Sequence, residues 1–308
     1  MKRAVASPPP THLLALPDGR RLAYAEYGDS RGHPTLYFHG LPGSRLEAVL
    51  AADCAVQAGV RLIAIDRPGF GRSDPEPGRR LLDWPLDVLH LADHLGLRRF
   101  AVVGVSGGGP YAIVCAYSIS QRLDAVGVVS GVAPFETDGF FEHMFWPNKV
   151  ALRMAKRAPS LVTTGLRPSV MLRSFPRLAV SLLAHAVRTP DREVIARTQV
   201  REVLAHSLAE SLRQGAQGSV DDLLILARPW GFRLEDVPID VNVWQGGRDR
   251  MVPATHGQTL SRRLIQSHYV YLPEEGHFSL VIDHTASIFS TLMGGRLTET
   301  GREVAHRP

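Results

Sequence analysis

The chain has 308 residues, of which 44% are hydrophobic, and this is enough to bury a large core in one domain that carries an insertion. Its two cysteines, Cys54 and Cys115, exclude a disulfide framework, and with neither an apolar leader nor a membrane-spanning run we expect a cytoplasmic protein. The net charge of +5 comes almost wholly from arginine, but no recognised binding module accompanies it, so we expect no nucleic-acid partner.

Strand and helix patterns alternate along the first 129 residues. They begin with a hairpin over residues 11–27, in which Asp18-Gly19 separates two strand-like runs. The later strands are predicted at 35–38, 61–65, 100–105 and 123–129. The helices between them are predicted at 47–58, 83–96 (with Asp83 as N-cap) and 107–119. Because near-continuous apolar strands alternate with helices, we expect an α/β fold with a mostly parallel central sheet and helices on both faces.

The alternation stops after residue 131. Residues 132–236 show helical patterns interrupted by prolines, without a convincing strand. Strands and helices then resume at 240–244, 255–264, 269–272 and 278–293. We therefore expect a core built from residues 1–131 and 237–308, with a helical insertion at 132–236. The proline-rich start and the polar end from Gly294 onward are expected to fray.

The insertion is strongly basic. Residues 141–218 hold twelve basic residues against five acidic ones. A solvated arginine-rich surface is the ordinary explanation, and an anionic substrate or a lipid surface is the alternative. No stable insertion into a membrane is expected, because no apolar run is long enough to span one.

A short motif, Gly104-Val105-Ser106-Gly107-Gly108, follows the apolar strand at 100–105. It fits G-x-S-x-G, the strained turn that lifts a nucleophilic serine from a strand and passes the chain into a helix. Small neighbours keep other side chains away from the serine. We therefore predict that Ser106 is a nucleophile, and that the Gly107 amide at the helix start stabilises an oxyanion.

A serine nucleophile needs a base and an acid, which later strand ends supply. His277 follows a strand and a glycine, and Asp249 ends a strand-plus-glycine loop, which gives the chain order Ser, Asp, His. The rival bases are His256, His268 and His284. The rival acids are Asp240, Glu274 and Asp283. We predict His277 as the base and Asp249 as its orienting acid.

Over residues 12–292 the chain resembles the α/β-hydrolase superfamily. The motifs that carry the resemblance occur in the family's order and each follows a predicted strand: 39–43 (HGLPG), 66–73 (DRPGFGRS), 104–108 (GVSGG), 246–249 (GGRD) with 276–277 (GH). The resemblance implies a capped serine hydrolase in which Ser106, Asp249 and His277 form a catalytic triad. It also implies that the backbone amide of Leu41 is the second donor to the oxyanion.

Aromatic residues cluster where the insertion begins. A helix seam that packs on the core explains this cluster, and a lid over Ser106 is the alternative. In the lid interpretation, four side chains line a substrate pocket: Phe141, Met144, Phe145 and Trp146.

The expected function is therefore cleavage of carboxylic esters that have an apolar portion, through an acyl-enzyme and without a metal or organic cofactor. The alternatives within the same fold are a lactonase, a thioesterase, a proline-iminopeptidase-like aminopeptidase and a carbon–carbon bond hydrolase. A ligand receptor without turnover is the alternative from another class. The oligomeric state is left open.

Overall fold

A computed structural model describes residues 9–294, which form one sheet of eight strands with helices on both faces. The strands are β1 (His12–Ala15), β2 (Arg21–Gly28), β3 (His33–Phe38), β4 (Val60–Ile65), β5 (Phe100–Val105), β6 (Leu123–Val129), β7 (Val241–Gly246) and β8 (Ser267–Leu272). Their order in the sheet is β1-β2-β4-β3-β5-β6-β7-β8. The β1–β2 and β2–β4 pairs are antiparallel and all the other pairs are parallel. The mostly parallel sheet predicted from the sequence is thus confirmed.

The described residues form twelve α-helices, most of them short. They are α1 (Ala52–Gln57), α2 (Trp84–His94), α3 (Gly109–Ser118), α4 (Trp146–Arg157), α5 (Pro159–Leu166), α6 (Pro176–Ala186), α7 (Asp191–Ala196), α8 (Thr198–Ser211), α9 (Gln217–Leu226), α10 (Ala254–Arg263), α11 (His277–Asp283) and α12 (Thr285–Leu292). Short 3₁₀ helices occur at Arg45–Ala51, Leu81–Asp83, Ser106–Gly108, Ser120–Arg122, Arg167–Arg173 and Leu234–Asp236. Within residues 9–294, every helix is too short or too polar to cross a bilayer.

Alternation of side chains along the buried strands gives the sheet two packed faces. In β5, Val102 joins the core under α2, α3 and α10, whereas its neighbour Val103 joins the core under α1, α11 and α12. Leu36 and Tyr37 of β3 divide in the same way. Because successive strand residues point to opposite faces, a strand with helices on both sides must be apolar throughout, as β5 is.

The segment between β6 and β7 contains α4 to α9. Residues 130–240, all within the described range, contain no strand. The helical character predicted for residues 132–236 is therefore present, while the exact domain boundaries stay a prediction. We refer to residues 132–236 as the insertion.

Two predicted helices differ from the structure, for local reasons. The helix predicted from residue 47 begins as a 3₁₀ helix at Arg45, whose amide donates to the buried Asp66 carboxylate at 2.7 Å, and becomes α-helical only at Ala52. The last helix divides at His284, where the Thr285 hydroxyl donates to a carbonyl one turn back, a bond that bends helices.

Two smaller predictions have other outcomes: one differs from the structure and one lies outside the described residues. Asp83 was predicted to cap α2, but its carboxylate accepts from the Arg80 amide at 2.7 Å and makes no cap bond to α2. The predicted frayed ends fall almost entirely on residues 1–8 and 295–308, which lie outside the described residues.

Candidate active site

Ser106 lies at the carboxyl end of β5, in the middle of the sheet. Its φ angle of 56° is in the left-handed region, which a residue with a side chain adopts only under strain. Close packing around the turn requires glycine on both sides. A Cβ at Gly104 would lie 2.2 Å from the Gly108 carbonyl oxygen, and one at Gly108 would lie 2.2 Å from the Phe38 carbonyl oxygen. The strand–turn–helix context that the motif needs is therefore present.

His277 and Asp249 are paired and buried. His277 begins α11 after β8, and Asp249 follows β7, so adjacent parallel strands deliver both to the same edge of the sheet. The His277 Nδ1–H donates to Asp249 Oδ2 at 2.8 Å, and the other carboxylate oxygen accepts from the Val252 amide at 2.8 Å. The proton on Nδ1 leaves Nε2 free to accept one.

The charge around His277 favours its protonated form. Burial by itself disfavours the imidazolium, but the nearby carboxylates of Asp249, Asp191 and Glu47 outweigh it and raise the pKa of His277 above its ordinary 6.5. A base with a raised pKa accepts a proton readily, although it must be neutral before it can do so.

The rival histidines have other partners. His256 is buried, accepts from the Ala133 amide through Nδ1 and donates from Nε2 to the Phe140 carbonyl at 2.9 Å. Burial lowers the pKa of His256 to about 4, so it is a neutral structural residue. The other two lie in settings without a buried aspartate: His268 is largely exposed, and His284 lies 3.1 Å from Glu275.

The rival acids also have other partners. Asp240 is exposed beside His268, Glu274 pairs with Arg248, and Asp283 pairs with Arg197. Among the acids considered from the sequence, Asp249 is the one that contacts His277.

The turn after β3 contacts the turn after β5. A Cβ at Gly107 would lie 3.5 Å from the Leu41 amide nitrogen, and one at Gly40 would lie 3.7 Å from the Ser106 Cβ. The two predicted oxyanion donors, the Leu41 and Gly107 amides, therefore belong to turns that touch beside Ser106. Within the described residues, no hydrogen bond joins the Ser106 hydroxyl to His277.

A buried arginine holds the turn after β3 in place. The Arg67 guanidinium donates to the carbonyl oxygens of His39 and Gly40, the latter at 3.1 Å. It also pairs with Asp222 of α9 at 2.7 Å, and Asp222 accepts from the Tyr111 hydroxyl at 2.6 Å. The Arg67 and Asp222 side chains are fully buried. The insertion thus fixes the turn that carries Leu41.

Glu47 is a half-buried residue beside the same turn, and sequence analysis did not identify it. It accepts from the Gly40 amide and from the Tyr37 hydroxyl, both at 2.8 Å. Burial raises the pKa of Glu47, while these hydrogen bonds and the charges of Arg67 and His277 oppose the shift. Glu47 therefore adds to the negative charge that faces His277.

Asp191 is the second unidentified residue, and it comes from the insertion. Its carboxylate accepts the backbone amides of His277 at 2.9 Å, Phe278 at 2.8 Å and Ser279 at 3.0 Å. These are three of the four amides that a helix start leaves without an intrahelical partner. A Cβ at Gly276 would lie 2.4 Å from the same carboxylate, so a larger residue there would displace it. The insertion therefore caps the helix that begins with His277.

The four predicted pocket residues differ in how deeply they are buried. Met144 is buried in a cluster against which Leu41 and Phe141 also pack. Phe145 is half-buried, and its amide donates to the Arg250 carbonyl at 2.6 Å, next to Asp249. Trp146 is 70% exposed. Their role in a substrate pocket stays a prediction.

No metal site accompanies these residues in the part of the chain from 9 to 294. No group of three or more His, Cys, Asp or Glu side chains there is arranged to hold an ion. The chemistry that the arrangement can support is transfer of an acyl group to a serine, assisted by a histidine that a carboxylate orients.

The comparisons with known proteins agree with this fold. A family model described as the alpha/beta hydrolase fold matches residues 34–284, and the protein belongs to that family. The hydrolase YcgS of Bacillus subtilis (strain 168) is 23% identical over 283 residues, which cover 90% of this chain and 95% of the relative.

Solved structures extend the likeness over nearly the whole chain. The crystal structure of a hydrolase from Pseudomonas aeruginosa PA01 has a TM-score of 0.69 at 19% identity, and the match covers 92% of this chain and 98% of that one. The enol-lactonase from Burkholderia xenovorans LB400 has a TM-score of 0.63 at 19% identity, with the same coverage. At these identities the likeness shows the fold alone.

Proposed function

We propose that the protein is a serine hydrolase that cleaves carboxylic esters with an apolar portion through a covalent acyl-enzyme. The observation that carries the proposal is the buried His277–Asp249 pair. Its 2.8 Å hydrogen bond leaves His277 Nε2 free to act as a base, and the pair lies at the carboxyl ends of the parallel strands, as does Ser106 after β5. A neutral imidazole oriented by a carboxylate is the group that activates a serine hydroxyl.

The first half of the reaction acylates Ser106. Its Oγ attacks the ester carbonyl carbon while the hydroxyl proton passes to His277 Nε2, and Asp249 stabilises the imidazolium that forms. The amides of Leu41 and Gly107 donate to the oxyanion of the tetrahedral intermediate. The imidazolium then gives its proton to the alkoxide oxygen, and the alcohol leaves. In the complex with substrate, the Ser106 hydroxyl donates a hydrogen bond to His277 Nε2, along which the proton moves.

The second half releases the acid. A water molecule gives a proton to Nε2 and attacks the acyl carbon, and the same two amides hold the second oxyanion. Collapse of this intermediate breaks the bond to Oγ and returns the proton from His277 to Ser106. The route uses no metal and no organic cofactor.

The proposal is tested by labelling and turnover with one pair of proteins. A fluorophosphonate probe is expected to label the native protein and not Ser106→Ala, and a p-nitrophenyl butyrate assay is expected to show repeated turnover that Ser106→Ala lacks. Labelling of the variant at another serine would contradict the assignment. A single stoichiometric burst without turnover would favour a ligand receptor.

The preference for esters is tested separately, with a panel of substrates. Acyl esters, lactones, thioesters and aminoacyl arylamides with matched acyl lengths are compared by kcat/KM. The proposal expects the highest values for esters with acyl chains longer than acetate, because the cluster around Met144 and Leu41 is apolar. Highest values for lactones, thioesters or arylamides would replace the ester assignment while leaving Ser106 as the nucleophile.

A further inference from the structure

The first half of the insertion has an unusual charge. Residues 143–190, which we call the cationic segment, contain eight lysines and arginines and no aspartate or glutamate. In the described structure one of these eight, Arg177, has a carboxylate partner, Glu202 at 2.9 Å. The other seven form no ion pair in the described structure, although Lys149 and Arg153 line one cavity with Asp138 and Glu142. The segment as a whole therefore keeps a net positive charge.

The same segment exposes apolar side chains. Eight of the fourteen large hydrophobic side chains that are exposed among residues 9–294 lie between positions 146 and 182. The most exposed are Trp146, Leu161, Met171, Phe175, Leu178 and Leu182, each 57% exposed or more. Single exposed hydrophobic residues are ordinary, but a concentration in one segment marks an interaction surface.

Helix α6 has one buried apolar face and one exposed apolar face. Its inner face packs against the rest of the insertion, because Val180 is buried in a cluster with Ile195 and Ala205. Phe175, Leu178 and Leu182, spaced three and four residues apart, form a second apolar stripe that is exposed. The helix is therefore apolar on two faces and has a partner on one.

Charge decides which partner fits the outer stripe. A second copy of the chain would bring this segment's cations against identical cations, with no carboxylate of the segment to pair with them. An anionic lipid surface offers negative headgroups and an apolar layer together. Helices with arginine or lysine beside exposed tryptophan, phenylalanine and leucine bind such interfaces while lying in their plane.

We propose that the outer face of residues 146–182 docks the protein reversibly on an anionic membrane surface. The arginines and lysines contact lipid phosphates, and the stripe of α6 together with Met171 enters the headgroup region. We expect docking to be peripheral, because no helix among residues 9–294 is long and apolar enough to span the bilayer. It does not depend on the proposed hydrolysis.

The test is sedimentation of the full-length protein with vesicles at low salt. We expect binding to vesicles of equal parts phosphatidylcholine and phosphatidylglycerol, weaker binding to pure phosphatidylcholine, and release as salt is raised. The paired variant Arg167→Gln/Arg173→Gln is expected to bind about 30-fold more weakly, since each cation near such a surface contributes about five-fold. Phe175→Ser/Leu178→Ser is expected to reduce binding by tenfold or more.

Matched control variants test whether binding depends on this segment in particular or on any exposed arginine or apolar side chain. Arg31 and Arg98 are exposed arginines of the core, and Leu86 and Ile265 are exposed apolar residues there, at 58% and 73%. Arg31→Gln/Arg98→Gln and Leu86→Ser/Ile265→Ser are expected to bind as the native protein does. All four variants alter exposed side chains, and thermal unfolding verifies that they fold.

Three outcomes would overturn the proposal. One is absence of binding to anionic vesicles, and another is equal loss of binding in the core controls. The third is a dimer, detected by light scattering, that Phe175→Ser/Leu178→Ser dissociates while vesicle binding is absent, which would assign the face to a second copy. Esterase turnover on a soluble substrate is measured in parallel, so loss of docking and failure of the proposed hydrolysis remain distinguishable.

Discussion

Replacing Asp191 tests whether the insertion positions His277. The carboxylate accepts three backbone amides at 2.8–3.0 Å, and its Oδ1 serves Phe278 and Ser279 while Oδ2 serves His277. Asp191→Ala removes all three bonds. Because a lost N-cap costs about 0.5–2 kcal/mol and hydrogen bonds to charged groups contribute about 1.5–3 kcal/mol each, we expect the free energy of unfolding to fall by about 2–4 kcal/mol once water has replaced part of the loss.

Asp191→Asn separates the charge from the hydrogen bonds. Its amide oxygen, placed where Oδ1 lies, keeps the bonds to Phe278 and Ser279 and loses the one to His277. Since the negative charge of Asp191 contributes to the raised pKa of His277, its removal lowers that pKa. The base must be neutral to act, so the acid limb of the kcat/KM profile is expected to move to lower pH.

Steady-state assays from pH 5 to pH 9 measure both effects. Asp191→Ala is expected to lower kcat/KM by about 10²-fold on the plateau, the size of effect that a displacement of about 1 Å in a catalytic group produces. Glu193→Gln is the matched control, because Glu193 lies on the same helix, is exposed and makes no bond to α11. An unchanged acid limb in Asp191→Asn, or an equal shift in Glu193→Gln, would refute the reasoning.

The remaining predictions concern the site and its support. His277→Ala is expected to lower kcat by roughly 10³-fold or more with folding unchanged, while His268→Ala retains activity; the opposite result would reassign the base. The acid limb of the native kcat/KM profile is expected above pH 6.5, because nearby carboxylates raise the pKa of His277, and a midpoint below 6.5 would contradict this. Met144→Ala should change the kcat/KM ratio of long to short esters by about tenfold, more than Trp146→Ala does, since ~1.4 kcal/mol corresponds to a factor of ten; equal loss on all esters would indicate packing. Asp222→Ala, which leaves the buried Arg67 and Arg79 without their carboxylate partner, should lower the urea-unfolding free energy by about 3–5 kcal/mol, and a loss below about 1 kcal/mol would contradict this structural role of Asp222.

The sheet could be predicted from the sequence because its strands carry a local signal. Each is a short apolar run bounded by glycine or polar residues, and β5 and β6 begin and end at the predicted residues. Helix starts were less predictable where a distant partner decides them. Residue Arg45, for example, turns toward Asp66, which is 21 positions away. Nothing in residues 44–58 alone encodes that partner.

Part of the candidate site's geometry could also be predicted from the sequence, while the catalytic roles stay predictions. Ser106, Asp249 and His277 each follow a strand, so the parallel sheet brings them to one edge, and the Asp249–His277 contact is present. Asp191 and Asp222 could not be found in this way, because their partners lie in the core and are backbone amides or residues far along the chain. The sequence does mark both positions: Asp191 is the first acid after a long cationic stretch, and Asp222 is followed directly by the apolar run 223–226 (LLIL).

The buried ion pairs of Arg67 and Arg79 with Asp222 have a consequence for engineering. Exchanging the insertion for that of a relative, a common route to new specificity, would remove Asp222 and leave Arg67 and Arg79 buried without a counter-charge. It would also uncap the helix that begins with His277. A chimera therefore needs carboxylates at the positions of both Asp191 and Asp222, because the part of the chain outside the core is not an independent module.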